Sequence, residues 1–296
     1  ITMAGWLLFG LFWLLQIPHY LDHGEPVNAV YCVLGFPLFM FLMYHEHLSI
    51  QWGDDPASLP FMAGTVGMSA GMYFLIDTFP QVAALFVWLT AMETAGFLSM
   101  FGYEATAGGV FDEDFVRVPV FHGEQRGISI ILACTAIQSI VIFIAAIWTT
   151  RVDRDPISKT ISIHPPPTLR SFWQFRVQPI LWNYASIRLP WFRDLGVTKE
   201  KQHSIKLVLT RKWKAFLITV PTILILNIVR TAGVIYLVYE GHFEFDIAHS
   251  YLSRWGSMLV LIILAYLMFD ILPELHDNII GIPMLTKRKK PEEPPI

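Results

Sequence analysis

Long apolar runs dominate this chain and limit the folds that it can adopt. Hydrophobic residues make up 54% of its 296 residues and charged residues only 15%, whereas soluble domains carry more charge. Several runs contain roughly 17–25 residues, the length of helix that crosses the ~30 Å hydrocarbon layer of a bilayer. The runs are unbroken, which excludes the alternating strands of a membrane β-barrel. The sequence therefore predicts an all-α, polytopic transmembrane helical bundle.

Polar segments divide the chain into four regions. Residues 1–148 contain five predicted spans, 149–211 a basic insertion, 212–285 two further spans, and 286–296 a basic tail that we expect to fray. The seven spans are predicted at about 3–17, 27–44, 61–76, 82–100, 127–148, 213–239 and 247–272. Because the sequence begins with Ile1 rather than methionine, we expect that upstream residues are missing. With seven spans the first residue lies outside the cell, and a further upstream helix would instead place it inside.

The proline-rich insertion at 149–211 combines arginines with scattered aromatic residues. Both residue types are favourable at lipid headgroups, so we predict a small cytoplasmic subdomain on the membrane surface rather than a substrate-reading domain. The net charge of −3 gives no indication of a nucleic-acid partner. Both cysteines, Cys32 and Cys134, lie in apolar runs and suggest no disulfide framework.

The distribution of lysine and arginine predicts the orientation of the chain. None precedes Arg117, and most lie in the insertion at 149–211 and in the cluster at 287–290. The positive-inside rule places both regions in the cytoplasm. The acidic loop at 102–125 and the link at 240–246 are therefore predicted to lie outside the cell.

The fifth span carries an unusual group of polar side chains. Cys134, Thr135 and Gln138 interrupt an apolar stretch, and Cys134 and Gln138 would share one helical face because they are four residues apart. Taken alone, such a cysteine is more often a small buried residue than a nucleophile, which is how we interpret Cys32.

Three reactive residues are predicted at a similar depth. At 1.5 Å per helical residue, Cys134 lies ~25 Å above the cytoplasmic boundary, Arg230 ~24 Å and His249 ~31 Å. An arginine at this depth requires a polar cavity or a partner, and Asn227 lies on the same helical face as Arg230. A neighbouring cation or imidazole activates a thiol by lowering its pKa. An imidazole can also accept the thiol proton and later donate it to a leaving amine. Together the three residues predict acyl transfer at the outer face, with Arg230 stabilising an oxyanion.

Three short segments resemble the signatures of the exosortase/archaeosortase family. They are Ala-Cys-Thr-Ala-Ile at 133–137, Asn-Ile-Val-Arg at 227–230, and Ala-His at 248–249, within a likeness that covers about 127–272. The family often has glycine two residues after the cysteine, where this chain has Ala136, and some relatives have an acidic residue where it has Ser250.

The resemblance implies a membrane-embedded cysteine transpeptidase without metal or organic cofactor. Cys134 would be the nucleophile, with Arg230 and His249 completing the site. The implied substrate is a surface protein with a C-terminal sorting signal, consisting of a Pro-Gly-Phe-type motif, a transmembrane helix and a basic cluster. Cleavage would occur outside an archaeal cell membrane, and the new carboxyl end would pass to a membrane lipid.

Several polar residues leave alternatives open. Gln138, Thr135, Asn227, Arg254 and Glu93 are predicted to contact substrate or to support the three reactive residues, although Arg254 also suits a structural ion pair or a lipid phosphate. A transporter would use Glu93, Arg230 and His249 as a relay, but that reading leaves Cys134 unexplained and the chain has no internal repeat.

The ten histidines raise two further possibilities. A membrane haem protein needs paired histidines within the bundle, and only His249 is well placed in depth. The motif His45-Glu46-His47, together with His242, suggests a metal site. Solvated loop histidines are the favoured interpretation, because ligands two residues apart in a loop are weak evidence.

Overall fold

A computed structural model describes residues 2–22, 24, 26–108, 118–122, 127–150, 199–245 and 247–290. The predicted insertion lies outside this set except for 199–211, and so do the tail residues 291–296. The described chain is mostly helical and divides into two compact units. The first unit takes its described residues from 1–63, 151–209 and 277–296, and the second consists of 64–150 and 210–276.

Eight α-helices form most of the described part of the chain. Their bounds are α1 Thr2–Asp22, α2 Pro26–Trp52, α3 Ser58–Thr78, α4 Pro80–Met100, α5 Ile137–Thr149, α6 Lys199–Tyr239, α7 Arg254–Ile271 and α8 Pro273–Met284. Two 3₁₀ turns, Leu132–Cys134 and Leu285–Lys287, and a π-helix, Ile247–Ser253, complete the helical segments of the described chain.

The described residues contain fewer candidate membrane spans than the seven predicted for the chain. Among the described residues, five helices are long and apolar enough to cross a membrane, or six if the bent pair formed by α7 and α8 is one span. The predicted fifth span contains only 13 helical residues, in α5, which at 1.5 Å per residue extend ~20 Å. The expected count of seven is therefore not confirmed.

The bend between α7 and α8 has a local cause. The two helices meet at 116°. Leu272, with φ of −130° and ψ of 78°, is outside the helical region, which is disfavoured for a residue that precedes a proline, here Pro273. Arg211 donates to the carbonyl of Ile271 at 3.1 Å and pairs with both carboxylate oxygens of Glu274 at 2.8 and 3.0 Å. The first of these bonds pairs one carbonyl of the last turn of α7, and all three contacts attach the bend to α6.

Within the first unit, α1 and α2 pack through aromatic rings. The Phe39 ring lies 6.0 Å from Trp6, 4.8 Å from Phe9 and 5.2 Å from Trp13, between ring centroids. Gly35 permits this approach, because a Cβ atom there would overlap the ring of Trp13. Trp6 and Phe39 are buried, and aromatic rings contribute a large apolar area to such a contact.

The second helix continues past its predicted end and contains the histidine motif. His45, predicted in a polar loop, is 5% exposed on α2 and its carbonyl accepts a bond from Arg288 at 3.1 Å. Arg288 also bonds Ser49 and Asp54, so this part of the predicted frayed tail is held in place. Among the described residues, no group of three or more His, Cys, Asp or Glu could hold a metal ion.

A small sheet in the second unit departs from the all-α prediction. Strands β1 (Ala105–Ala107), β2 (Val118–His122) and β3 (Ile128–Ile130) are antiparallel in the order β1-β2-β3. Its buried side chains pack with α4 and α6 in one core, and Cys134 lies at the edge of that core. The core consists of Val87, Ala91, Ala95, Leu98, Ala105, Val118, Val120, Ile130, Ala232 and Ile235.

Candidate active site

Cys134 lies on a strand–turn–helix connection. Strand β3 ends at Ile130, Cys134 ends the following 3₁₀ turn, and α5 begins at Ile137. The prediction that Cys134 and Gln138 share one helical face is therefore wrong. The regular helix begins only after Ala136. The φ of 58° and ψ of 2° at Ala136 lie in the left-handed region, which a residue with a side chain disfavours.

Hydrogen bonds fix the turn that carries the thiol. The amide of Cys134 donates to the carbonyl of Ile131 at 2.8 Å, and that of Thr135 to Leu132 at 3.1 Å. The buried Thr135 hydroxyl donates to the same Leu132 carbonyl at 2.7 Å, so Thr135 stabilises the turn. The carbonyl of Cys134 accepts a bond from Nδ2 of Asn227 on α6 at 2.8 Å.

The three predicted reactive residues line one cavity. Cys134, Arg230 and His249 surround a volume of about 20 Å³, with Thr231 and Phe245 among the other lining residues. A cavity of this size has room for one water-sized group. The sequence argument placed these residues together through their depth, and the structure brings them together around this cavity.

His249 is held by an irregular helix and an aromatic ring. It belongs to the π-helix Ile247–Ser253, a type of helix that frequently occurs at functional sites. The imidazole stacks on Phe245 with ring centroids 5.1 Å apart and an angle of 9° between the planes. The stacking defines the ring plane of His249 at the wall of the cavity.

A larger cavity adjoins the same guanidinium. It has a volume of about 410 Å³ and is lined mainly by apolar and small residues of α5, α6 and α7. Arg230 lines both cavities, and Asn227 lines the larger one, which confirms that these two residues share a face of α6. The half-buried guanidinium of Arg230 thus lies between the larger, mainly apolar cavity and the small cavity at Cys134, which we call the thiol cavity.

The remaining predicted residues are dispersed. Gln138 lines the larger cavity and donates to the hydroxyl of Tyr73 at 3.2 Å. Glu93 is exposed on α4 and lines neither cavity, so a relay with Arg230 and His249 finds no support in its position. Arg254 begins α7, but its side chain lies outside the described part of the structure.

Thr231 is a lining residue that the sequence reasoning missed. It follows Arg230 directly and lies four residues after Asn227, so helical spacing alone would have placed it beside Asn227. Phe245 was missed because the link at 240–246 was interpreted only as an external connection.

The fold and cavity define a class of protein: a largely helical chain with helices long and apolar enough to cross a membrane, and with a thiol, a guanidinium and an imidazole around one small cavity. The chain is 28% identical to archaeosortase A of Haloferax volcanii in an alignment of 158 residues that covers 48% of this chain. The match covers 49% of that protein, so the chain spans about half the length of its curated relative. No protein-family model and no solved structure matches the chain. These findings support a distant relationship to the archaeosortases.

Proposed function

We propose that this chain is a membrane-embedded cysteine transpeptidase that processes C-terminal sorting signals of surface proteins. The observation that carries the proposal is the shared cavity of Cys134, Arg230 and His249. The distant relationship to an archaeosortase supports the same class of enzyme and a protein substrate with such a signal.

In the proposed acylation step, His249 takes the thiol proton and Sγ of Cys134 bonds to a peptide carbonyl carbon. The carbonyl electron pair moves to oxygen, and the guanidinium of Arg230 stabilises the resulting negative charge. The carbon–nitrogen bond then breaks, and the leaving amine receives the proton from His249. The products are a thioester on Cys134 and the released C-terminal segment.

In the second step, the acceptor attacks the thioester carbonyl carbon. His249 takes the acceptor's proton, and Sγ of Cys134 leaves as the thiolate, which recovers the proton from His249. We propose a lipid with a hydroxyl or amine as acceptor in the cell membrane, with water as the competing acceptor. The reaction would occur at the outer face, as the distribution of basic residues predicts.

The larger cavity is the proposed path for substrate. Its apolar lining suits a few apolar residues of a sorting signal next to the cleaved bond, and Arg230, which lines both cavities, suits a carbonyl or carboxylate. Gln138 and two serines of the lining, Ser253 and Ser257, supply the polar contacts that an extended segment entering this cavity would need.

The decisive experiment compares Cys134→Ala with Cys32→Ala. Each chain is incubated in lipid with a reporter that carries a Pro-Gly-Phe motif, an apolar helix and a basic cluster. We expect mass spectrometry to show cleavage by the wild type and by Cys32→Ala, whose thiol is buried on α2. Cys134→Ala should leave the reporter intact. Full processing by Cys134→Ala would refute the proposed function, and an acyl adduct on wild-type Cys134 would establish the thioester.

A further inference from the structure

We propose that the hydroxyl of Thr231 is a second donor to the oxyanion at Cys134, beside Arg230. The inference rests on the proposed function and deepens it, because it assigns the cavity to the reacting oxygen of the substrate. Thr231 lines the same 20 Å³ cavity as Cys134, Arg230 and His249.

The hydroxyl of Thr231 is buried but has no hydrogen-bond partner among the described residues, which is unusual in a protein. Thr231 is 6% exposed, and its Oγ1 has no hydrogen-bond partner among the described residues. Nearly all buried polar groups in proteins are paired, and an unpaired one destabilises the fold. A hydroxyl that is kept at such a cost, at the wall of a reactive cavity, is available to a group that enters the cavity.

Several other helical hydroxyls of this chain bond to their own helix. Thr149, Thr150, Thr222 and Ser257 each donate to the carbonyl four residues earlier, at 2.6–2.7 Å. This is the usual local bond of serine and threonine within helices. Thr231 makes no such bond to Asn227, although the spacing permits it. Its hydroxyl is therefore uncommitted to the backbone of α6.

The two backbone amides at the nucleophile do not supply an oxyanion donor. Cysteine and serine enzymes often use the amide of the nucleophile itself, but the amides of Cys134 and Thr135 both donate within the 3₁₀ turn. Side chains that line the cavity are then candidate donors. Arg230 and Thr231 are adjacent on α6, and both line this cavity.

The step leaves Thr231 unchanged. As Sγ bonds to the carbonyl carbon, the electron pair of the carbonyl double bond moves to oxygen. The Thr231 hydroxyl donates a hydrogen bond to this oxygen and keeps its proton. When the carbonyl re-forms, the electron pair returns, the carbon–nitrogen bond breaks, and the amine takes its proton from His249.

The test measures kcat and KM for the reporter with three variants. Thr231→Val keeps the shape and removes the hydroxyl, and it should lower kcat about 100- to 1,000-fold with little change in KM. Thr231→Ser keeps a donor and should restore most of the rate. Thr94→Val is the matched control, since Thr94 is fully buried on α4, lacks a partner among the described residues and lines neither cavity. It should behave as the wild type.

Thermal denaturation separates this role from a structural one. Thr231→Val should be as stable as the wild type or more so, because it removes an unpaired buried hydroxyl. The inference would be overturned if Thr231→Val had the kcat of the wild type. It would also be overturned if Thr231→Ser and Thr94→Val lost as much kcat as Thr231→Val. If Cys134→Ala is inactive while Thr231→Val is fully active, only the role of Thr231 fails. If Cys134→Ala cleaves normally, or the wild type does not cleave, the proposed function fails as well.

Discussion

Replacing Asn227 with leucine tests whether α6 fixes the nucleophile through the backbone of Cys134. Asn227 is 6% exposed, and its Nδ2 donates to the Cys134 carbonyl at 2.8 Å. Leucine has a similar size but no donor, so the carbonyl loses this partner while the packing volume is retained. Loss of one buried hydrogen bond partner costs about 1–3 kcal/mol, because the remaining group keeps its desolvation penalty.

We expect two measurable effects of Asn227→Leu. Its Tm in lipid nanodiscs should fall by roughly 2–12 °C, from about 2–4 °C for each kcal/mol in a chain of this size class. The thiol of Cys134 should shift in its turn, and a displacement near 1 Å reduces turnover of the reporter by about 100-fold. The alkylation rate of Cys134 by iodoacetamide, measured with Cys32 replaced by alanine, reports the thiol's environment without any substrate.

Asn278→Leu provides the matched control. Asn278 is equally buried, at 6% exposure, and its amide nitrogen has no partner among the described residues. The same substitution there removes no donor bond and should leave both the alkylation rate and turnover of the reporter unchanged. The reasoning would be refuted if Asn227→Leu alkylated and processed the reporter like the wild type, or if Asn278→Leu altered both equally.

Three further substitutions test other features of the second unit. Ala136→Gly should raise the free energy of unfolding by about 1 kcal/mol, because glycine adopts the left-handed conformation without penalty; a lower Tm would contradict this. Gly256→Leu should raise KM for the reporter by filling the larger cavity, whereas Gly96→Leu, which also meets open space but lines neither cavity, should not. Glu274→Gln should lower the free energy of unfolding by about 1–3 kcal/mol, because it weakens a two-bond contact with Arg211; an unchanged denaturation curve would exclude that role.

Hydropathy predicted the long helices well. The first four spans each correspond to a helix of at least 21 residues, because an apolar run of this length has few alternatives to a helix. The ends were less accurate. Helix α2 continues to Trp52 through the His45 motif, since a polar sequence without proline or glycine does not itself stop a helix.

Hydropathy did not predict the strand that precedes α5. Residues 128–130 are apolar enough to extend a helix, but they pair with Val118 and Val120 of β2, which are both fully buried. Strand pairing depends on partners elsewhere in the chain, which hydropathy along one segment does not detect. The only local sign was Ala136, at a position where the similar family often has glycine, since glycine favours the left-handed conformation found there.

Depth arguments located the reactive residues together, although two of their premises were incorrect. Cys134 is not within a regular helix, and His249 lies in a π-helix rather than on an even helical face. The agreement arises because α6 is continuous and contributes Asn227, Arg230 and Thr231 from adjacent turns. One hydrogen bond from this helix ties the Cys134 turn to it, and both cavities include its side chains. The two irregular segments therefore meet at the same helix. Spacing along α6 consequently predicted which residues line the cavities better than spacing along the segments that carry the thiol and the imidazole.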